Sequence, residues 1–163
     1  MKKNLTKTEL SAADKKADRA VNIMMTTVAG TALWPAHVNW ALTAGAMATG
    51  CVAIGRAYGF HLDKEDGWAL CKQFILGAGF WFVSMNIGTK FLAALAESTC
   101  IGYLGGAALD IGISCASAWA IGGCAKAYFR KMATTGDVVT KAELQEIFKG
   151  RFSDYRNRMG VAA

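Results

Sequence analysis

Proline is nearly missing from this chain: Pro35 stands alone among 163 residues. Only at that point is a long helix forbidden outright, because proline lacks the N–H and restricts the residue before it. Charge is scarce too. Charged residues make up 18% of the chain and hydrophobic ones 53%, whereas ordinary soluble domains carry about 25% charged residues. That balance excludes disorder, which needs low hydrophobicity and a polar bias. Histidine is limited to His37 and His61. They lack the close spacing of metal ligands, so no metal site is expected. The cysteines Cys51, Cys71, Cys100, Cys115 and Cys124 are odd in number, lack CxxC spacing and sit in apolar surroundings. They read as buried small hydrophobes in a reducing compartment. No apolar stretch follows Met1-Lys2-Lys3 before Ala20, so no secretion leader is expected. No catalytic triad can be argued, and no phosphate-binding loop occurs. Ile87-Gly88-Thr89-Lys90 has glycine, threonine and lysine in the wrong order. The expectation is a non-enzyme with no catalytic residue, cofactor or metal.

What charge there is sits at the ends. Residues 1–19 carry six Lys/Arg against three Asp/Glu, residues 126–163 eight against four, and residues 20–125 four against five. Basic ends around a nearly uncharged centre fit an anionic membrane surface. A nucleic-acid binder would interleave aromatics with the basic residues; here the aromatics lie in the centre, so nucleic acid is not an expected partner.

The hydrophobic pattern predicts one all-α domain over residues 1–163, a bundle of five to six helices with two apolar, Gly-rich helical hairpins. A polar start (1–19) leads into an apolar body (20–131) and an amphipathic C-terminal helix (138–159). The first helix shows a stripe of Leu10, Ala13, Ala17, Ala20, Met24 and Val28 and ends near Trp34-Pro35. The second runs from about Ala36 to Tyr58, with Gly59 as its C-terminal cap. Asp63 opens a third, with acids in its first turn. Residues 36–55 barely reach the ~20 needed to span a bilayer, and 73–89 sit at the short limit. Residues 98–125 are rich in Gly, Ala and Ser, as in tightly crossed helices. Thr140 and Glu143 form a capping box ahead of an amphipathic stripe of Leu144, Ile147, Phe148, Phe152 and Tyr155.

Few polar residues interrupt the body, and these are the candidate functional or interface positions. Asp110 is the one charge in residues 98–125. In a membrane such an acid marks a functional site; the plainer reading makes it the turn between two half-length helices, capping the second. Lys90 and Glu97 lie seven apart, on one helical face, and are candidates to pair with Asp110 or Arg56. The plainer reading makes them snorkelling charges at an interface. Pro35 is the helix break. Trp34 and Trp68, beside polar breaks, suit an interfacial belt; Trp81 and Trp119 suit a core.

The order of these signals resembles the helical family catalogued as domain of unknown function 697. The likeness covers residues 14–157. It is carried by Asp18-Arg19-Ala20, Trp34-Pro35, Arg56-Ala57-Tyr58-Gly59, Leu62-Asp63-Lys64-Glu65-Asp66, the Gly102–Gly106 stretch, the Gly122-Ala125-Tyr128-Phe129 exit and Thr140-Lys141-Ala142-Glu143-Leu144. The sequence departs after the proline, where His37 and Asn39 stand in place of the expected Asp or Asn. The resemblance implies a membrane-associated domain found fused to or encoded near small GTPases, without catalytic activity. Three functions follow as expectations. The first is a non-enzymatic membrane-associated scaffold or regulatory module, with a GTPase in another chain as partner. The second is a membrane-permeabilising or transport protein using the Gly-rich hairpin. The third is a soluble protein-interaction bundle. The expected location is the inner or cytoplasmic membrane, or its cytoplasmic face, with both termini cytoplasmic. A homo-oligomer interface and a lipid-facing surface are both apolar, so the pattern is compatible with either.

Overall fold

The computed structural model describes residues 5–31, 36–78 and 103–158. It is all-helical. Among the described residues there are five helices and no strand: α1 (Lys7–Thr31), α2 (Ala36–Ala57), α3 (Lys64–Ala78), α4 (Tyr103–Thr134) and α5 (Lys141–Arg158).

Three of the helices open on reciprocal caps that satisfy otherwise orphaned N–H groups. At α1 the Glu9 carboxylate accepts from the Thr6 N–H and hydroxyl, and the Glu9 N–H donates back to the Thr6 oxygen. Asp63 and Asp66 exchange the same bonds at α3, and Thr140 and Glu143 at α5. The last two starts match the expected ones. The end of α2 also matches. Gly59 takes φ 81°, and the Phe60 and Gly59 N–H groups return to the Gly55 and Arg56 carbonyls. That is the Schellman arrangement, whose left-handed residue favours glycine.

α1 buries Ala13, Ala17, Val21, Met24, Val28 and Thr31, spaced three or four apart on one face. α2 runs antiparallel to it: Tyr58 meets Asp14 at one end, Gly50 lies on Met24 midway, and Thr31 meets Thr43 at the other. α4 packs antiparallel on the neighbouring side of α1. There Gly122 lies against Val21 and Met24, and Lys126 and Arg130 reach Asp18 and Asp14. α5 returns along α4, with Lys131 on Glu143 and Gly123 under Arg151. α3 packs on α2 and also touches α4 and α5, so the five helices close around one core. Tyr58, Phe74, Phe129, Phe148, Ile54 and Ile121 fill it. The C-terminal stripe is as expected: Leu144, Phe148 and Phe152 are buried, with Ile147 and Tyr155 packed at the margin.

One expectation is corrected here. Residues 103–134 form one continuous helix, so the backbone at Asp110 is helical and not a turn between two short helices. No proline interrupts the stretch, and glycine costs a helix only about 1 kcal/mol per residue, which packing readily offsets. No helix among the described residues is long and apolar enough to cross a membrane. α2, the stronger candidate, is diluted by Asn39, two threonines, three glycines and Arg56. The other candidate span, 73–89, lies beyond Ala78 outside the described residues, as do Pro35, Lys90 and Glu97.

Candidate functional site

A groove of about 970 Å³ runs between α1 and α2 to the start of α3. Its floor is low because α2 presents small residues there: Ala41, Gly45, Ala46, Thr49 and Ala53. Its walls carry Ile23, Leu42 and Trp68, which are 59%, 42% and 51% exposed, unusual for large apolar side chains gathered in one place. The polar atoms of the lining are largely spent within their own helices. The Thr27 hydroxyl donates to the Ile23 carbonyl and the Thr49 hydroxyl to the Gly45 carbonyl. The Thr31 and Thr43 hydroxyls bond each other. The groove is therefore apolar in effect along its length.

One end differs. Lys16 and Arg19 of α1, Arg56 of α2 and Lys64 of α3 converge there, and all four are exposed. Neighbouring carboxylates are engaged elsewhere: Asp18 with Lys126, Asp14 with Tyr58 and Arg130, and Asp63 and Asp66 with each other's backbone. Arg56 donates through Nε and Nη2 to the Leu62 carbonyl at 3.2 and 2.7 Å. That fixes the turn and holds the guanidinium at the groove mouth, with further N–H groups to offer.

Behind the groove two clusters, the first part-buried and the second buried, hold the helices in place. The Tyr58 hydroxyl donates to Asp14 at 2.6 Å, and Arg130 Nε donates to the other Asp14 oxygen at 3.3 Å. Burial and the Asp14 carboxylate push the Tyr58 phenol well above its ordinary value, so it stays a donor. Between α2 and α3 the Cys51 and Cys71 thiols hydrogen-bond each other. That bond and burial raise Cys51. Burial pushes Cys124 up to about 12. Protonated, buried thiols are poor nucleophiles and ligands. Cys51, Cys71, Cys115 and Cys124 are all free and buried, as expected of small hydrophobes; Cys100 lies outside the described residues. Among the described residues no three His, Cys, Asp or Glu side chains gather to hold a metal ion.

Of the candidate residues, only Arg56 reaches the groove. Lys90 and Glu97 fall outside the described residues. Asp110 lies on the α4 backbone, its side chain outside the description. It stands 19 residues before Phe129, roughly 28 Å along the helix at 1.5 Å per residue. Phe129 packs on Gly55, next to Arg56. Asp110 and Arg56 are thus at opposite ends of the bundle; the expected pairing of Lys90 and Glu97 with either of them lies outside the described residues. Lys16, Arg19, Lys64 and the exposed Ile23 and Leu42 were not singled out from sequence. Their signal was a second stripe of α1: positions 16, 19, 23 and 27 recur at helical spacing, on the flank of its buried face. Trp68 was singled out for an interfacial belt, and is exposed at the groove wall.

Comparison with family models, curated proteins and solved structures finds no match.

Proposed function

We propose that this chain is a non-enzymatic scaffold or regulatory module that lies on an anionic membrane surface. The observation that carries the reading is the groove: exposed Ile23, Leu42 and Trp68 beside a cluster of four cations. An element that lies in a membrane interface combines apolar insertion with basic residues that meet acidic headgroups, and neither alone holds firmly. The basic N- and C-terminal segments add to the attraction. The face is presented by a closed bundle, so association with the surface does not require any described helix to cross it.

The test is co-sedimentation of the full chain with vesicles of phosphatidylglycerol and phosphatidylcholine against phosphatidylcholine alone. Binding to the anionic vesicles, weakened by salt, supports the reading; absence of binding to either sinks it. The same vesicles loaded with dye separate the permeabilising alternative, which requires leakage.

A protein partner is supported by a second, smaller depression between α3 and α5. It is lined by Leu76, 62% exposed, and Val139, with Lys72 and Lys141 at its edge. That patch suits the apolar, acidic side of a partner helix. Its identification with a GTPase rests on the family resemblance alone. Pull-down with a GTPase encoded beside this chain tests it, and recovery of nothing counts against it.

A further inference from the structure

We infer that the α1–α2 groove is a binding site for one anionic phospholipid, with an acyl chain lying along the groove and the headgroup phosphate held by Lys16, Arg19, Arg56 and Lys64. This rests on the membrane-surface reading and goes beyond it: a surface contact needs only exposed apolar and basic residues, whereas a site needs a cavity of matching length and polarity. The length matches. Ala41 to Arg56 is fifteen residues, about 22 Å at 1.5 Å per residue. One leaflet of hydrocarbon is half of a core about 30 Å thick, so a single extended chain fits with room for the headgroup. The volume, about 970 Å³, lies at the upper end of the ~300–1,000 Å³ usual for small-molecule sites.

The polarity matches as well. All four cations of the lining stand at one end, and the rest is aliphatic, aromatic, or threonine with its hydroxyl turned to its own helix. A partner helix would meet an apolar channel with charge confined to one terminus and would leave much of its own backbone girth outside a floor built of glycine and alanine. An amphiphile with one charged end and a thin tail fits that layout. Lys16, Arg19 and Lys64 have no ion pair among the described residues, and guanidinium forks at Arg19 and Arg56 suit phosphate oxygens.

The test uses the intact chain and a monomeric probe. Lysophosphatidylglycerol, kept below its critical micelle concentration, is titrated against the protein, with lysophosphatidylcholine as the control. Binding is read from tryptophan emission, with Trp68→Phe as the reporter control and native mass spectrometry for stoichiometry. The expected result is saturable one-to-one binding of the anionic lipid. Combined Lys16→Gln, Arg19→Gln and Lys64→Gln should weaken it at least tenfold. The same triple change should lower partition onto anionic vesicles about a hundredfold, since each basic residue near the surface strengthens it roughly fivefold. An alanine Cβ at Gly45 meets nothing within 4 Å, and Gly45 lines the groove, so Gly45→Phe puts a ring into the groove from an unobstructed Cβ. It should abolish the one-to-one complex, while Gly45→Ala binds as the parent does and both melt normally.

Vesicle binding without any monomer complex would overturn the site and leave the surface reading standing. Binding to neither would sink both. A dimer dispersed by Gly45→Phe and indifferent to the lipid would show that a second copy occupies the groove, and would overturn the proposal.

Discussion

Gly67 offers the most discriminating test of how α3 is held. It sits early in α3, where that helix crosses α2. A Cβ there would fall 2.6 Å from Val52 Cγ2 and 2.7 Å from the Ala48 carbonyl oxygen. The first atom ends a side chain and can shift; the second is backbone and cannot move without moving α2. Gly67→Ala gains about 1 kcal/mol of intrinsic helix preference. Against it stands the cost of overpacking, about 1–3 kcal/mol, at the upper end because backbone is struck. The net expectation is a loss of about 1–2 kcal/mol. At 2–4 °C per kcal/mol for a chain of this size, the Tm should fall by roughly 2–8 °C. Gly150, on the exposed side of α5, has nothing within 4 Å of its Cβ, so Gly150→Ala should gain about 1 kcal/mol with no offset. Chemical denaturation followed by circular dichroism compares the two. If Gly67→Ala proves as stable as Gly150→Ala, the close crossing of α2 and α3 is not there and the argument fails. Thiol labelling gives a second readout: parting α3 from α2 exposes Cys51 and Cys71, so Gly67→Ala should react faster with a thiol reagent than the parent.

Other substitutions probe the network and the caps. Tyr58→Phe removes the 2.6 Å bond to Asp14 and should cost about 1.5–3 kcal/mol, as for hydrogen bonds to charged groups; an unchanged denaturation midpoint would rule out the tie between α1 and α2. Thr140→Ala should cost about 1 kcal/mol through its cap, read the same way. Glu143 is held near pKa 2 from an ordinary 4.5, first by the Thr140 N–H, then by Lys131 and the Thr140 hydroxyl. A depressed acid stabilises fully above its unfolded value and loses that contribution as pH falls through its folded one. Glu143→Gln should therefore flatten the decline in stability between about pH 4.5 and 2, and an acid titration with the same slope as the parent would contradict the assignment. Because the pair is exposed, added salt should shrink the effect.

The legible parts of the fold were those decided locally. A glycine after Tyr58, an aspartate before Lys64 and a Thr-x-x-Glu before Leu144 each act within one turn of backbone, and helix ends stand where these residues put them. Thr6-x-x-Glu9 carries the same signature at the start of α1. It was easy to pass over because the apolar stripe begins later, at Leu10. The turn once expected at Asp110 shows the opposite case. Glycine, alanine and one acid permit either a turn or a continuous helix, and the difference is made by contacts from α1 and α5, such as Gly122 on Val21 and Gly123 under Arg151. Local composition does not contain those contacts.

The groove was hidden for a related reason. Its four cations lie at positions 16, 19, 56 and 64, on three different helices, and none is unusual in its own surroundings. Arg56 reads as the basic end of α2 and Lys64 as part of a polar helix start. Only the antiparallel pairing of α1 with α2, fixed by the Met24–Gly50 and Asp14–Tyr58 contacts, brings Lys16 and Arg19 level with Arg56. Only the tight Gly59 turn brings Lys64 back beside them. The same pairing leaves Ile23 and Leu42 exposed along one groove, although each helix alone would offer them to a core. A sequence with scarce charge thus gathers four of its cations at one end of an apolar groove. Reversing a single one, as in Arg19→Glu, should weaken attachment to anionic vesicles more than reversing Lys149 on the far side of α5, at equal net charge. Equal losses would mean that overall charge, and not this arrangement, governs the interaction.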